Sequence, residues 1–174
     1  SDEDGGLNME LTDVAASGEV QVLTFDLGGE TFALEAAVVR EVLDLLPETP
    51  VPGSGGFAPS LINFRGRVIP VIELGLAFDL EIRPATRATR YVVIECDVGG
   101  ETTLLGLRAD RVHEVTSIDL SETEQLPGVA ARWSSDFVKF LAQRGDDIVV
   151  MPNLDHIFSA KQTEQAAGVR HFRN

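Results

Sequence analysis

Apolar and polar residues alternate with a period of two early in the chain, where Leu23, Phe25 and Leu27 are interleaved with Thr24 and Asp26. Gly28-Gly29 interrupts the run, and Phe32 and Leu34 resume it. Such alternation fits a half-buried strand, and paired glycines supply the positive φ of a two-residue hairpin turn. Val38, Val39, Val42, Leu43 and Leu46 follow at helical spacing up to Pro47, which predicts a helix ending there. Residues 47–60 are rich in Pro and Gly and read as a loop. Arg67 to Glu73 reads as a β-branched strand, and Pro70 within it predicts an edge or bulged position. Near the C-terminus, Asn153 is placed to cap a helix whose apolar stripe is Leu154, Ile157 and Phe158. Residues 1–18 are small and acidic and are expected to form a disordered tail, and 161–174 to be a helix end with an untied tail.

The pattern occurs twice. Asp26-Leu27-Gly28-Gly29-Glu30-Thr31 returns as Asp97-Val98-Gly99-Gly100-Glu101-Thr102, and Val39-Arg40-Glu41-Val42 as Val112-His113-Glu114-Val115. Arg65-Gly66 followed by Leu74 and Phe78 returns as Arg144-Gly145 followed by Leu154 and Phe158. Three landmarks in one order at nearly one offset mark an internal duplication. Each half holds about five short strands, and five strands curled into a small barrel hide their edges. The expected fold is therefore all-β with short helices: two five-stranded barrels packed side by side, with a C-terminal helix. The first barrel is expected over about 19–80 and the second over about 90–152, with strands free to swap at a seam near Glu81 to Thr89.

Composition narrows the function. The 174 residues carry a formal net charge of −14 with 44% apolar residues, the balance of a chain that buries a core but repels phosphate backbones and anionic lipid. Nucleic acid and direct membrane contact are accordingly not expected, and no apolar run reaches the roughly 18 residues of a membrane-spanning helix. An acidic start (Asp2, Glu3, Asp4) is the reverse of a secretory signal, so a cytoplasmic location is expected. Cys96 is the single cysteine, and no Cys/His cluster suggests zinc or any other metal or cofactor. A Cys96–His113 pair for acyl transfer can be imagined, but Cys96 alternates with Val92 and Ile94 as a small hydrophobe of a strand would. Ser121 and Glu124 have the spacing of a capping box. The sequence argues against an enzyme.

The stretch Leu61-Ile62-Asn63-Phe64-Arg65-Gly66-Arg67-Val68-Ile69-Pro70-Val71-Ile72-Glu73-Leu74 resembles the signature of CheW-like domains, the chemotaxis coupling proteins that join receptors to the histidine kinase CheA. Phe64 stands where Leu is usual, Glu73 where Asp is usual, and Ser60 where Gly is usual. The resemblance extends over about residues 19–160, including the glycine turn, the Val-x-Glu-Val segment and Gly106, Asp110 and Val112. It implies two SH3-like barrels and a non-catalytic adaptor. Family members bind the tip of a receptor's helical hairpin in a groove between the barrels, and bind the kinase's regulatory domain through barrel ends.

Carried onto this sequence, the resemblance places Val39 on the receptor-facing groove, Arg65 as the motif arginine and Glu41 as its salt-bridge partner. Asn63, Phe64, Val68, Val92 and Gly106 line or shape the same surface. Apolar groups to take a helix stripe and a few charges to fix register suit such a groove. A kinase-facing loop falls near Leu126, Val129 and Trp133, and Trp133 is either a core residue or an exposed anchor. The expected function is a cytoplasmic scaffold recruited to receptor arrays through its partners, a chemoreceptor signalling tip and a CheA-type regulatory domain. A coupler of a pilus or surface-sensing pathway and a small-molecule-binding barrel are the alternatives.

Overall fold

The computed structural model of the chain describes residues 18–53, 57–119, 136–144 and 146–160. The strands are β1 (Glu19–Leu27), β2 (Glu30–Glu35), β3 (Val39–Leu43), β4 (Thr49–Pro50), β5 (Ser60–Phe64), β6 (Arg67–Ile72), β7 (Arg90–Val98), β8 (Glu101–Ala109), β9 (Arg111–Asp119), β10 (Val138–Arg144) and β11 (Asp147–Pro152). Short 3-10 segments cover Ala36–Val38 and Leu74–Phe78, and helix α1 occupies 154–160. The glycine pairs behave as the pattern predicts: Gly28 and Gly29 have φ of 55° and 88°, and Gly99 and Gly100 have 61° and 86°. These turns close the hairpins β1–β2 and β7–β8. Asn153 caps α1 through its side-chain oxygen, which accepts the His156 N–H at 3.2 Å.

The strands form two sheets, ordered β10-β11-β2-β1-β9 and β3-β7-β8-β6-β5-β4. These are two small SH3-like barrels, the second extended by the two-residue β4. The hydrogen-bonded sheets cut across the division at 80–90 that the repeat follows in sequence. The opening hairpin of each half is given to the other half's strands: β1–β2 joins β9, β10 and β11, and β7–β8 joins β3, β5 and β6. Matching parallel pairings fix the exchange, β11 on β2 through Val150↔Phe32 and β6 on β8 through Val71↔Gly106.

Two local expectations are corrected. The valines after Ala36 do not form a helix; apart from the 3-10 turn that ends at Val38, they form β3, paired with β7 through Val39↔Ile94, Val42↔Val92 and Leu43↔Tyr91. A register shift between Val39 and Glu41 breaks strict alternation, so the apolar spacing imitates a helical one while β-branched side chains favour the strand. Pro70 lies in β6, an interior strand between β5 and β8. Its missing N–H is tolerated because the β8 ladder begins only at Val71, one residue later.

Apolar residues separate into three clusters. The interior of the first sheet is Val20, Val22, Ala33, Ile118, Ala142, Val149 and Met151, and that of the second is Ile62, Phe64, Ile69, Val71, Tyr91 and Val93. The largest cluster lies between the sheets, where Phe25, Phe32 and Leu34 meet Val92, Ile94 and Leu107 and the stripe Leu154, Ile157 and Phe158 of α1. Among the described residues, no helix is long and apolar enough to cross a membrane.

Candidate docking surface

The β5–β6 hairpin turns on two residues, Arg65 and Gly66, with φ of 52° and 82°. Positive φ at both positions matches strand twist, but a left-handed arginine costs about 1–2 kcal/mol, so something must hold it. Asn63 Oδ1 accepts the Gly66 N–H at 2.9 Å, and the Arg65 guanidinium lies over the Phe64 ring, 5.4 Å from its centroid. Arg65 also donates to Glu41 Oε1 in a charge-assisted hydrogen bond. Because β3 begins the sheet order and β5–β6 lies near its far end, this ion pair bridges the open side of the barrel. Val68, opposite Asn63, is 66% exposed.

The anticipated residues divide into an exposed and a buried set. Glu41, Asn63, Arg65 and Val68 come together at the hairpin end, and Val39 stands half-buried at the start of β3. Phe64, Val92 and Gly106 are buried apart from one another: Phe64 in the interior of the second sheet, Val92 in the cluster between the sheets, and Gly106 on β8 opposite Val71 and Val93. At Gly106 a β-carbon would stand 3.4 Å from Ile62 Cδ1, an ordinary van der Waals contact. Leu126, Val129 and Trp133, like the Ser121–Glu124 capping box, lie outside the described residues.

A cleft of about 430 Å³ opens between the sheets beside β3. Its floor includes Leu34, Val38, Cys96 and Leu154, and its rim carries Glu35, Glu95, Asp97, Asp155 and Lys139. The sequence did not single out this rim, because its residues come from β2, β7, β10 and α1 and meet only through the exchanged hairpins. Val38, adjacent to the anticipated Val39, and Cys96 and Leu154, named for other reasons, are the local pointers to the cleft.

Cys96 and His113 are not joined by a hydrogen bond among the described residues. His113 Nε2 lies 2.9 Å from Asp26 in the first sheet, whereas Cys96 lines the cleft from the second. Burial, with Asp155 and Asp97 adding to it, pushes the Cys96 thiol up to about 12, opposite to the activation a nucleophile needs. No group of three or more His, Cys, Asp or Glu residues is placed to hold a metal among the described residues.

A polar cluster inside the second barrel also escaped the sequence. Glu48 accepts hydrogen bonds from Ser60, Tyr91 and Arg108, and Arg108 Nε lies 3.4 Å from the buried Glu73 carboxylate without hydrogen-bond geometry. These side chains tie the loop before β4 to β5, β7 and β8.

Comparison with known proteins gives a consistent assignment. The CheW-like domain model matches residues 21–162. A chemotaxis protein CheW of Rhizobium meliloti is 23% identical over 150 residues, spanning 86% of this chain and 94% of that protein. A probable chemotaxis protein CheW of Rhizobium etli is 26% identical over 149 residues, spanning 86% of this chain and 94% of that protein. The crystal structure of the scaffolding protein TtCheW from Thermoanaerobacter tengcongensis superposes with a TM-score of 0.70 at 30% identity, covering 80% of this chain and 88% of that one. With the duplicated barrels, the Asn-Phe-Arg-Gly hairpin and a family match across most of its length, this chain belongs to the CheW-like domain family.

Proposed function

We propose that this chain is a non-catalytic scaffold of chemotaxis-type signal transduction, which holds a CheA-type histidine kinase beside a chemoreceptor signalling tip. The carrying observation is the exposed end of the second barrel, where Arg65 pairs with Glu41 and Val68 is exposed, together with a cleft between the sheets that Val38 lines one residue before β3. Exposed apolar groups beside a register-fixing ion pair suit the docking of a helix stripe. The mechanism is one of binding and geometry: a small receptor displacement alters a packed interface and shifts the kinase equilibrium. The protein then works in the cytoplasm and reaches membrane arrays through its partners.

Calorimetric titration with a receptor-tip hairpin fragment and with a CheA regulatory domain tests this. Both bind saturably; Arg65→Glu, which sets like charges beside Glu41, abolishes receptor binding while circular dichroism remains native. No binding of either partner at tens of micromolar overturns the reading.

A second reading keeps the scaffold and changes the pathway. Protein PilI of Pseudomonas aeruginosa is 30% identical over 109 residues, spanning 62% of this chain and 58% of that protein. Co-purification with a pilus-type rather than a flagellar-type receptor distinguishes the two. The small-molecule barrel gains no support: side chains fill both barrel interiors, and the cleft lies between the barrels.

A further inference from the structure

The hairpin that carries Arg65 is joined to its barrel by backbone at one end only. A row of pairings crosses it there, Pro50↔Ser60, Ser60↔Val71 and Val71↔Gly106. The ladder with β8 runs on from Val71 to Ile72, away from the turn, and begins one residue after Pro70, which has no N–H to offer. From that base to Arg65 the two strands pair with each other, and Ile62, Phe64 and Ile69 sit in the barrel interior. Such packing is non-directional, so the angle at which the hairpin leaves the sheet is left to directed bonds near its base.

Two side-chain links span the open side of the barrel. At the tip, Arg65 and Glu41 are 72% and 34% exposed, and an ion pair so open to water contributes little. At the base stands Glu48, in the segment leading from β3 to β4. Its Oε1 accepts the hydroxyl of Ser60, the first residue of β5, and its Oε2 accepts the Tyr91 hydroxyl from β7 and an Arg108 N–H from β8. Ser60 and Tyr91 are buried, and the Glu48 and Arg108 side chains are only 21% and 20% exposed. Burial pushes the Glu48 carboxyl up, but these hydrogen bonds and the Arg108 charge outweigh it and hold it below its ordinary value. The bonds are therefore those of an ionised carboxylate, stronger than neutral ones. Phe64, beside Arg65, lies four residues along β5 from Ser60, about 13 Å. On that lever a tilt of about 5° at the base moves the turn by about 1 Å, enough to part a hydrogen bond at the tip.

We propose that Glu48 is the positioning residue of the docking surface: by holding Ser60 to Tyr91 and Arg108 it sets the tilt of the β5–β6 hairpin, and through it the place of Asn63, Arg65 and Val68, without itself touching a partner. This rests on the scaffold reading above and deepens it by naming the residue that holds the site in shape.

Backbone amide NMR spectra of the full chain, with titration of the receptor-tip fragment in parallel, test the proposal. In Glu48→Ala the amide signals of residues 63–68 move while those of β1, β2 and β10 stay, and receptor-tip affinity falls roughly tenfold. Ser60→Ala removes the hairpin's own bond and leaves Tyr91 and Arg108 on Glu48; it moves the same signals, costs roughly threefold, and carries the test if Glu48→Ala does not fold. Val149→Ala, a cavity in the interior of the first barrel, destabilises the protein without moving either readout. Signals of 63–68 that stay in place, moved signals with unchanged affinity, or the same affinity loss in Val149→Ala overturn the proposal. If the wild-type protein does not bind the receptor tip at all, the scaffold reading has failed, and the hairpin signals, read without a partner, decide by themselves whether Glu48 positions the turn.

Discussion

At Gly28, with φ of 55°, a β-carbon would stand 2.8 Å from Leu80 Cβ and 3.1 Å from the Glu81 carbonyl oxygen. Gly28→Ala therefore combines left-handed strain with a clash against the connecting segment, and is expected to cost roughly 2–4 kcal/mol in urea denaturation. Gly100→Ala, at φ of 86° with open space around it, incurs the strain alone, roughly 1–2 kcal/mol. The glycine turns were legible in the sequence; the segment pressed against one of them was not. Buried carboxylates make a second prediction. Burial raises the Glu73 carboxyl above its ordinary 4.5, with Arg108 opposing and Glu48 and Asp110 adding. A raised folded-state value means the native state holds the proton more tightly, so the contribution is full below the unfolded value and is lost as pH rises through the folded one. Burial also pushes Glu48 up, but hydrogen bonds from Ser60, Tyr91 and Arg108 outweigh it, so its contribution is present at higher pH and lost on acidification. Glu73→Gln should consequently destabilise the protein more at about pH 4 than at about pH 7, as chemical denaturation at the two values will read.

Single elements differ in how openly they declare themselves. Helix α1 was legible because its cap is local: Asn153 holds the His156 N–H, and Leu154, Ile157 and Phe158 turn to the core together. Asn153→Ala is expected to cost about 1 kcal/mol in a denaturation midpoint shift, since the His156 N–H loses its side-chain acceptor. Strand β3 was misread because its bulge shifts the apolar positions off a period of two, and tertiary pairing with β7 decides the outcome. The hairpin at Arg65 lies between these cases. Its turn residues and its motif were visible in sequence, and the link from Arg65 to Glu41 came from the family resemblance. The closure of the barrel by that link depends on a curvature that no local pattern encodes. The cleft rim was invisible for the same reason, as its carboxylates stand on elements far apart in the chain.

At the scale of the whole molecule, duplication revealed which strands are alike but not which pair. A strand's neighbours depend on the exchange of hairpins, and the sequence pattern of β1–β2 is the same whichever sheet receives it. Neither half contains a complete sheet, and the largest apolar cluster belongs to both. Fragments 1–83 and 84–174 expressed separately are expected to show little strand signal by circular dichroism, and to regain it, with one cooperative melt, when mixed. A stable, native-like spectrum from either fragment alone would contradict this. The exchange also sets a timetable for synthesis. The β1–β2 hairpin leaves the ribosome with Val20, Val22 and Ala33 on it, yet the strands that share their cluster end with β11 at Pro152. At ~5–20 residues per second, those side chains wait roughly 6–23 s for the strands that will cover them. During that interval the nascent chain presents an unpaired strand edge, and slower translation lengthens the exposure.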